Sequence, residues 1–305
     1  MKLGFIKPNY PFERRVAILP SDINDGTDIV IEQGFGVTMN ISDDEYRARG
    51  CNILPRDKVF ETCNAIYSLK LIQETDYDNL RNGHVIIGWT HPTGSGAKFF
   101  NEVAKPKNIK IVDLDNIFPR VYHGEEISDI EWLPRNFIWK NSYFAGYASV
   151  SQALQAYGLI PNNTHKVAIL SSGNVSQGAF SAMSPYNCDI RMFYRKTMNE
   201  FYSEIDTYDI IINGIEVDEP NVHIIDKSQV KKLKRNALII DAAADAGNAI
   251  EGSYYTAHDN PLGDIDGINF YCVNNAPTIF YRTASNYISE VVAKYVLPNV
   301  SRFVE

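Results

Sequence analysis

Cysteine is scarce in this chain, four in 305 residues, and Cys51, Cys63, Cys188 and Cys272 are scattered without C-x-x-C spacing. That pattern argues against a disulfide framework and offers no zinc signature, so no metal is expected. His84 and His91 flank a strand-like run and would sit at its opposite ends, with no Cys/Asp cluster beside them. Positive charge is also short: 29 Lys and Arg against 37 Asp and Glu leave a net charge of -8, which speaks against a general nucleic-acid surface. The chain opens on no cationic-apolar leader and contains no apolar run of about 18 residues, so neither export nor a membrane span is expected; a reducing cytoplasm is the simplest location. The strings G-x-x-x-x-G-K-[ST], G-x-S-x-G and H-E-x-x-H are all missing. Their absence lowers the case for P-loop, serine-hydrolase and zincin chemistry.

What is present is an ordinary globular composition, 45% hydrophobic and 22% charged, in a chain longer than one core usually fills. Two domains follow. Residues 1–140 alternate short apolar runs (KLGFI, AIYSLK, HVIIGW, IKIVDL) with polar stretches, including a helix expected around Ser21 to Gln33. Such alternation predicts an α/β domain with partly parallel strands. Residues 121–143 read as aromatic and irregular, and Ala145 to Tyr157 as a helix linking the domains. From His165 the runs VAIL, DIRMFY, YDIIINGI, NALIIDAAA and INFYCVNN predict a doubly wound sheet over 141–279. A helix from Thr283 to Val300 is expected to return to the first domain. The fold class is therefore α/β, two Rossmann-like domains with a cleft between them, the first (1–140 with 280–305) discontinuous.

The run from Lys166 to Lys196 carries the strongest functional signal. A strand is followed by small residues, Ser171, Ser172, Gly173, Asn174, Val175, Ser176 and Gly178, and then a helix. Small residues there let backbone N–H groups and a helix N-terminus approach a pyrophosphate. About 20 residues on, where an NAD site has an acidic ribose ligand, this chain has Tyr194, Arg195 and Lys196. Two cations suit the 2′-phosphate of NADPH. Asn213, ending the next strand, is included among the cofactor contacts.

Other candidates stand at strand ends, where open α/β sheets bind ligands. Arg14 and Arg15 point to opposite sides of an extended segment, and one guanidinium can fork onto a carboxylate; a solvated pair with Glu13 is the commoner alternative. Lys70 either snorkels to solvent or supplies a proton-transferring amine, and His91 is either a structural imidazole or an acid/base group. Asp241 and Asp245 either hold a ligand ammonium or hydroxyl, or cap the following turn. Asn274 and Asn275 either meet nicotinamide or form a turn before Pro277.

The ordered strings ERRVAILP, YSLK, GWTHP, SSGNVSQGA, DAAADAGNAIE and VNNAP resemble the alanine dehydrogenase and lysine-forming saccharopine dehydrogenase superfamily across almost the whole chain. Ser171 and Ser176 stand where that family has glycines, and Tyr194 replaces its acidic ribose ligand. Within it, the opening KLGFIKPNYPFERRVAILP is most similar to the branch that joins pyruvate to the side-chain amine of ornithine or lysine, using NADPH. The resemblance implies a keto-acid carboxylate on Arg15, Lys70 polarising the keto oxygen, His91 as its acid/base partner, Asp245 near the nicotinamide and substrate amine, and Asn275 on the nicotinamide side. It also implies a homo-oligomer. Of the two bases, an imidazole with a pKa near 6.5 suits neutral pH, while a lysine near 10.4 stays a cation. An amino-acid dehydrogenase of the alanine or saccharopine type, and a catalytically silent NADP(H) sensor, are the alternatives.

Overall fold

The computed structural model describes residues 2–217, 219 and 222–304, and the chain divides into two units, 1–138 with 281–305, and 139–280. In the first, eight strands form one sheet: β1 (Leu3–Ile6), β2 (Ile29–Glu32), β3 (Asn52–Leu54), β4 (Ala65–Ser68), β5 (Val85–Gly88), β6 (Lys110–Asp113), β7 (Arg120–His123) and β8 (Glu126–Asp129). Their order is β3-β2-β1-β4-β5-β6-β7-β8, parallel through β6 and antiparallel beyond it. β1, β2, β4 and β5 are buried at every residue, the mark of parallel strands covered on both faces.

Two expectations fail here. The helix expected around Ser21 to Gln33 is absent; a single turn at Pro20–Asp22 precedes β2, because the β-branched run Ile29-Val30-Ile31 pairs with β1 and β3. The stretch 121–143, read as irregular, holds the β7–β8 hairpin around Gly124.

The second unit holds a six-stranded sheet of β9 (Lys166–Leu170), β10 (Asp189–Phe193), β11 (Ile210–Asn213), β12 (Leu238–Asp241), β13 (Leu262–Ile265) and β14 (Ile268–Tyr271), ordered β10-β9-β11-β12-β14-β13. Along β9, Val167 and Ile169 enter one core while Ala168 and Leu170 enter the other, so the strand divides its residues between two covered faces. α1 (Trp139–Tyr157) and α2 (Asn174–Met183) cover one face. α1 is no linker: it packs along α2 so closely that a Cβ on Gly178 would sit 1.9 Å from the Tyr143 carbonyl oxygen, and one on Gly146 would sit 1.8 Å from that of Val175. The two glycines let the helix backbones touch.

The chain then completes the first unit through α3 (Tyr281–Val291) and the short helical turns after it. Ser285 and Ser289, one helical turn apart and buried, accept the backbone N–H groups of Val16 and Leu19, each at 2.8 Å. α3 therefore fixes the segment that carries Arg15. Among the described residues, no helix is long and apolar enough to cross a membrane.

Candidate active site

Both sheets change direction at their first strand, and a parallel sheet offers a ligand crevice at such a point, beyond the carboxyl ends of its strands. In the first unit β1 is flanked by β2 on one side and β4 on the other. The segments leaving β1, β4 and β5 at those ends carry Arg15, Lys70 and His91.

Arg15 is 2% exposed, so it is no surface cation. The Glu13 carboxylate accepts its Nε at 2.9 Å and its Nη2 at 2.6 Å, and also the backbone N–H groups of Arg14 and Arg15 at 3.1 and 2.8 Å. Burial opposes the charge on Glu13, yet the Arg15 cation beside it holds the carboxyl down to about 2. The guanidinium also lies over the Trp89 ring, 4.9 Å from its centroid. Arg14 is the exposed member of the pair and stacks on Tyr281 at 3.9 Å. The expected surface ion pair is thus a buried strut, set by the short E-R-R spacing that lets Glu13 fold back on its own loop.

Lys70 lies two residues beyond β4, with Nζ 5.0 Å from the Tyr10 ring centroid. Burial and then the Arg15 cation lower its pKa to about 8, against the opposing pull of Glu13 and Asp115. β5 approaches this point through Gly88, at φ 145°, where a Cβ would fall 1.8 Å from the Ser68 carbonyl oxygen. Three residues on, His91 adopts φ 44° and its side chain is 42% exposed. Nε2 meets Asp115 Oδ2 at 2.8 Å. Burial disfavours the imidazolium, but the Asp115 hydrogen bond and charge outweigh it and raise the pKa. Asp113, buried behind, accepts Thr90 N and Oγ1, each at 3.3 Å. Because Arg15 acts on Lys70, and Lys70 on His91, the three groups share one electrostatic environment. It offers a fixed cation, an amine poised near neutrality and an imidazole. Glu13, Tyr10, Trp89 and Asp115 complete it. Glu13, Tyr10 and Trp89 fall within strings quoted above, but no spacing assigns them to a site, and Asp115 lies outside those strings.

In the second unit the loop after β9 begins with Ser171 at φ 88°, a conformation that favours glycine. Two contacts hold it there: Ser171 N donates to Phe193 O at 2.7 Å, and its Oγ accepts Gly173 N at 3.1 Å. Ser172 and Gly173 are exposed, and Asn174 and Val175 open α2 half-buried. Gly173 precedes the helix without any side-chain cap, so the first-turn N–H groups keep the polarity that binds a phosphate. Ser176 faces inward, its hydroxyl donating to Leu170 O at 2.8 Å.

Beyond β10, Thr197 Oγ1 accepts Tyr194 N at 2.9 Å and Thr197 N donates to Tyr194 O at 2.8 Å, closing a turn with Arg195 and Lys196 at its centre. Both cations are exposed and pair with no group among the described residues, whereas Arg191 on β10 is engaged by Glu200 and Glu204. The residues present fit a phosphorylated dinucleotide: an uncapped helix N-terminus and two unspent cations.

Three further candidates are also engaged within the fold. Asn213 is buried with its amide spent on Ile215 O and Asp241 Oδ1, each at 2.9 Å, and its Oδ1 accepts Ile215 N at 3.1 Å. It shapes the loop after β11, and its amide is committed there. Asp245 is 9% exposed, with Oδ2 accepting Val217 N and Oδ1 accepting Asn248 Nδ2, each at 2.8 Å. Its role in the fold is to tie two loops together. Asn275 is buried at φ 68°, and its carbonyl accepts Thr278 N at 3.2 Å, which realises the turn before Pro277. Asp241, beside Asp245, is pushed up to about 6 by burial. His84, at the other end of β5, is lowered to about 4 by burial and the Arg81 charge.

Sequence profiles of the alanine dehydrogenase/PNT N-terminal and C-terminal domains match residues 6–123 and 150–302. An N(5)-(carboxyethyl)ornithine synthase of Clostridium botulinum is 54% identical over 97% of this chain and 94% of its own. The protein of that name from Lactococcus lactis subsp. lactis is 50% identical over 100% and 98%. A solved L-alanine dehydrogenase superposes with a TM-score of 0.82 at 18% identity, over 99% of this chain and 90% of its own, a likeness of fold. The chain belongs to the alanine dehydrogenase/PNT family and is an oxidoreductase.

Proposed function

We propose that this enzyme condenses pyruvate with the side-chain amine of ornithine, or of lysine, and reduces the product to an N-(1-carboxyethyl) amino acid with NADPH. The observation that carries the reading is a buried Arg15 stacked on Trp89, with Lys70 and His91 carried on the segments that leave the neighbouring strands β4 and β5. The names of the two relatives near 50% identity supply the amine.

In this reading Arg15, its orientation fixed by Glu13 and Trp89, holds the keto-acid carboxylate. The incoming amine must be uncharged to attack, and free in water it has a pKa of about 10.4. His91, backed by Asp115, accepts that proton. The nitrogen adds to the keto carbon and passes one of its protons to the oxygen, Lys70 donates the second as that oxygen leaves as water, and a protonated imine remains. NADPH, when bound, supplies the hydride that reduces the imine carbon. Asp245 orients groups near the nicotinamide and substrate amine, Asn275 stands on the nicotinamide side, and Arg195 and Lys196 hold the 2′-phosphate.

NADPH absorbance followed with pyruvate and a panel of amines tests the proposal, with the product identified by mass. Lys70→Met is expected to lower kcat by about 10²- to 10⁴-fold while NADPH affinity stays within about twofold. Consumption with ammonia alone would make the chain an alanine-dehydrogenase-like enzyme instead. Binding of NADPH without turnover on any amine and keto-acid pair would make it a sensor.

A further inference from the structure

Trp89 is 2% exposed and its indole Nε1 finds no hydrogen-bond partner among the described residues. Buried indole N–H groups nearly always have an acceptor, and one left without costs stability. The same ring lies under the Arg15 guanidinium, and the residue follows β5 two positions ahead of His91. The ring that carries this buried donor therefore lies against Arg15, to which the proposed function assigns the keto acid. Glu13 already takes Nε and one bond of Nη2 on Arg15. A keto-acid carboxylate has about four lone-pair sites and no donors, so it has capacity for a donor besides a guanidinium.

We propose that the indole N–H of Trp89 donates to the carboxylate of the keto acid, making Trp89 a substrate-binding residue specific for the acid. The inference rests on Arg15 as the acid's anchor. Water is the competing occupant, and substitution separates the two. Replacing Trp89 with β-(3-benzothienyl)alanine keeps the ring and its stacking and removes only the N–H; Trp89→Phe is the encoded counterpart.

Both changes are expected to raise KM for pyruvate by about ten- to a hundredfold, the effect of one hydrogen bond to a charged group, with kcat and the KM for the amine held within about twofold. The ligand-free benzothienyl protein should melt at or above the temperature of the unaltered one, since it loses an unsatisfied donor. An unchanged pyruvate KM in the benzothienyl protein overturns the inference, and a lowered melting temperature with unchanged KM assigns the N–H to the fold. Arg15→Lys serves as the control. If it leaves the pyruvate KM unchanged, the site reading itself fails; if it raises KM while neither Trp89 change does, only this inference fails.

Discussion

At the scale of single residues, the proposed mechanism turns on two bases whose ordinary pKa values lie far apart and which their surroundings draw together. Burial and Arg15 bring Lys70 down to about 8, while Asp115 lifts His91 above its usual value near 6.5. Activity then requires His91 neutral and Lys70 protonated. The pH profile of kcat/KM is expected to rise as His91 loses its proton and to fall near pH 8 as Lys70 loses its own. Asp115→Asn removes the charge that favours imidazolium, so the acid limb should move to lower pH by about one unit or more, with the alkaline limb moving the same way, because Asp115 also supports Lys70. A profile whose acid limb does not respond to Asp115→Asn would dissociate His91 from proton transfer.

At the scale of elements, the phosphate-binding turn shows how a sequence departure is absorbed. Ser171 occupies a glycine conformation because the strand next door and its own hydroxyl hold it there. In the proposed reading, the turn after β10 would set cofactor choice in the same local terms. Tyr194 and Thr197 close it with three hydrogen bonds, so Arg195 and Lys196 can be neutralised without disturbing the backbone. Arg195→Gln with Lys196→Gln is expected to weaken NADPH by about ten- to a hundredfold or more, and NADH by about threefold at most, as measured by fluorescence titration. Equal losses for both cofactors would dismiss the 2′-phosphate as their ligand. Strands rich in Ile and Val were legible from periodicity, as was the αβ alternation after His165. β2 was not, because a three-residue apolar run takes its state from the neighbours it pairs with, β1 and β3.

At the scale of the whole molecule, each of the two units has its own core and is assigned its own ligand. Ligand-linked stability should separate along that line. NADPH at about a hundred times its Kd adds about 2.7 kcal/mol to the unit that holds it, and calorimetry should show that gain undiminished in Arg15→Lys. Any stabilisation by pyruvate should be lost in the same variant. A protein whose NADPH response disappears with Arg15 would contradict this assignment of ligands.

The sequence by itself determined the class of fold, the nucleotide-binding run and the family, since these rest on local periodicity and on short strings in a fixed order. It also placed Lys70 and His91 just beyond strand ends and Arg15 between an apolar strand and a hydrophobic segment. Only the tertiary structure decided their company. Glu13 closing on Arg15, the stacked Trp89 with its unanswered N–H, Asp115 behind His91, and Asn213 and Asp245 engaged within the fold all depend on burial and on contacts between segments. Such contacts have no period and no spacing along the chain, because a side chain's pKa and its free hydrogen bonds are properties of what surrounds it in space.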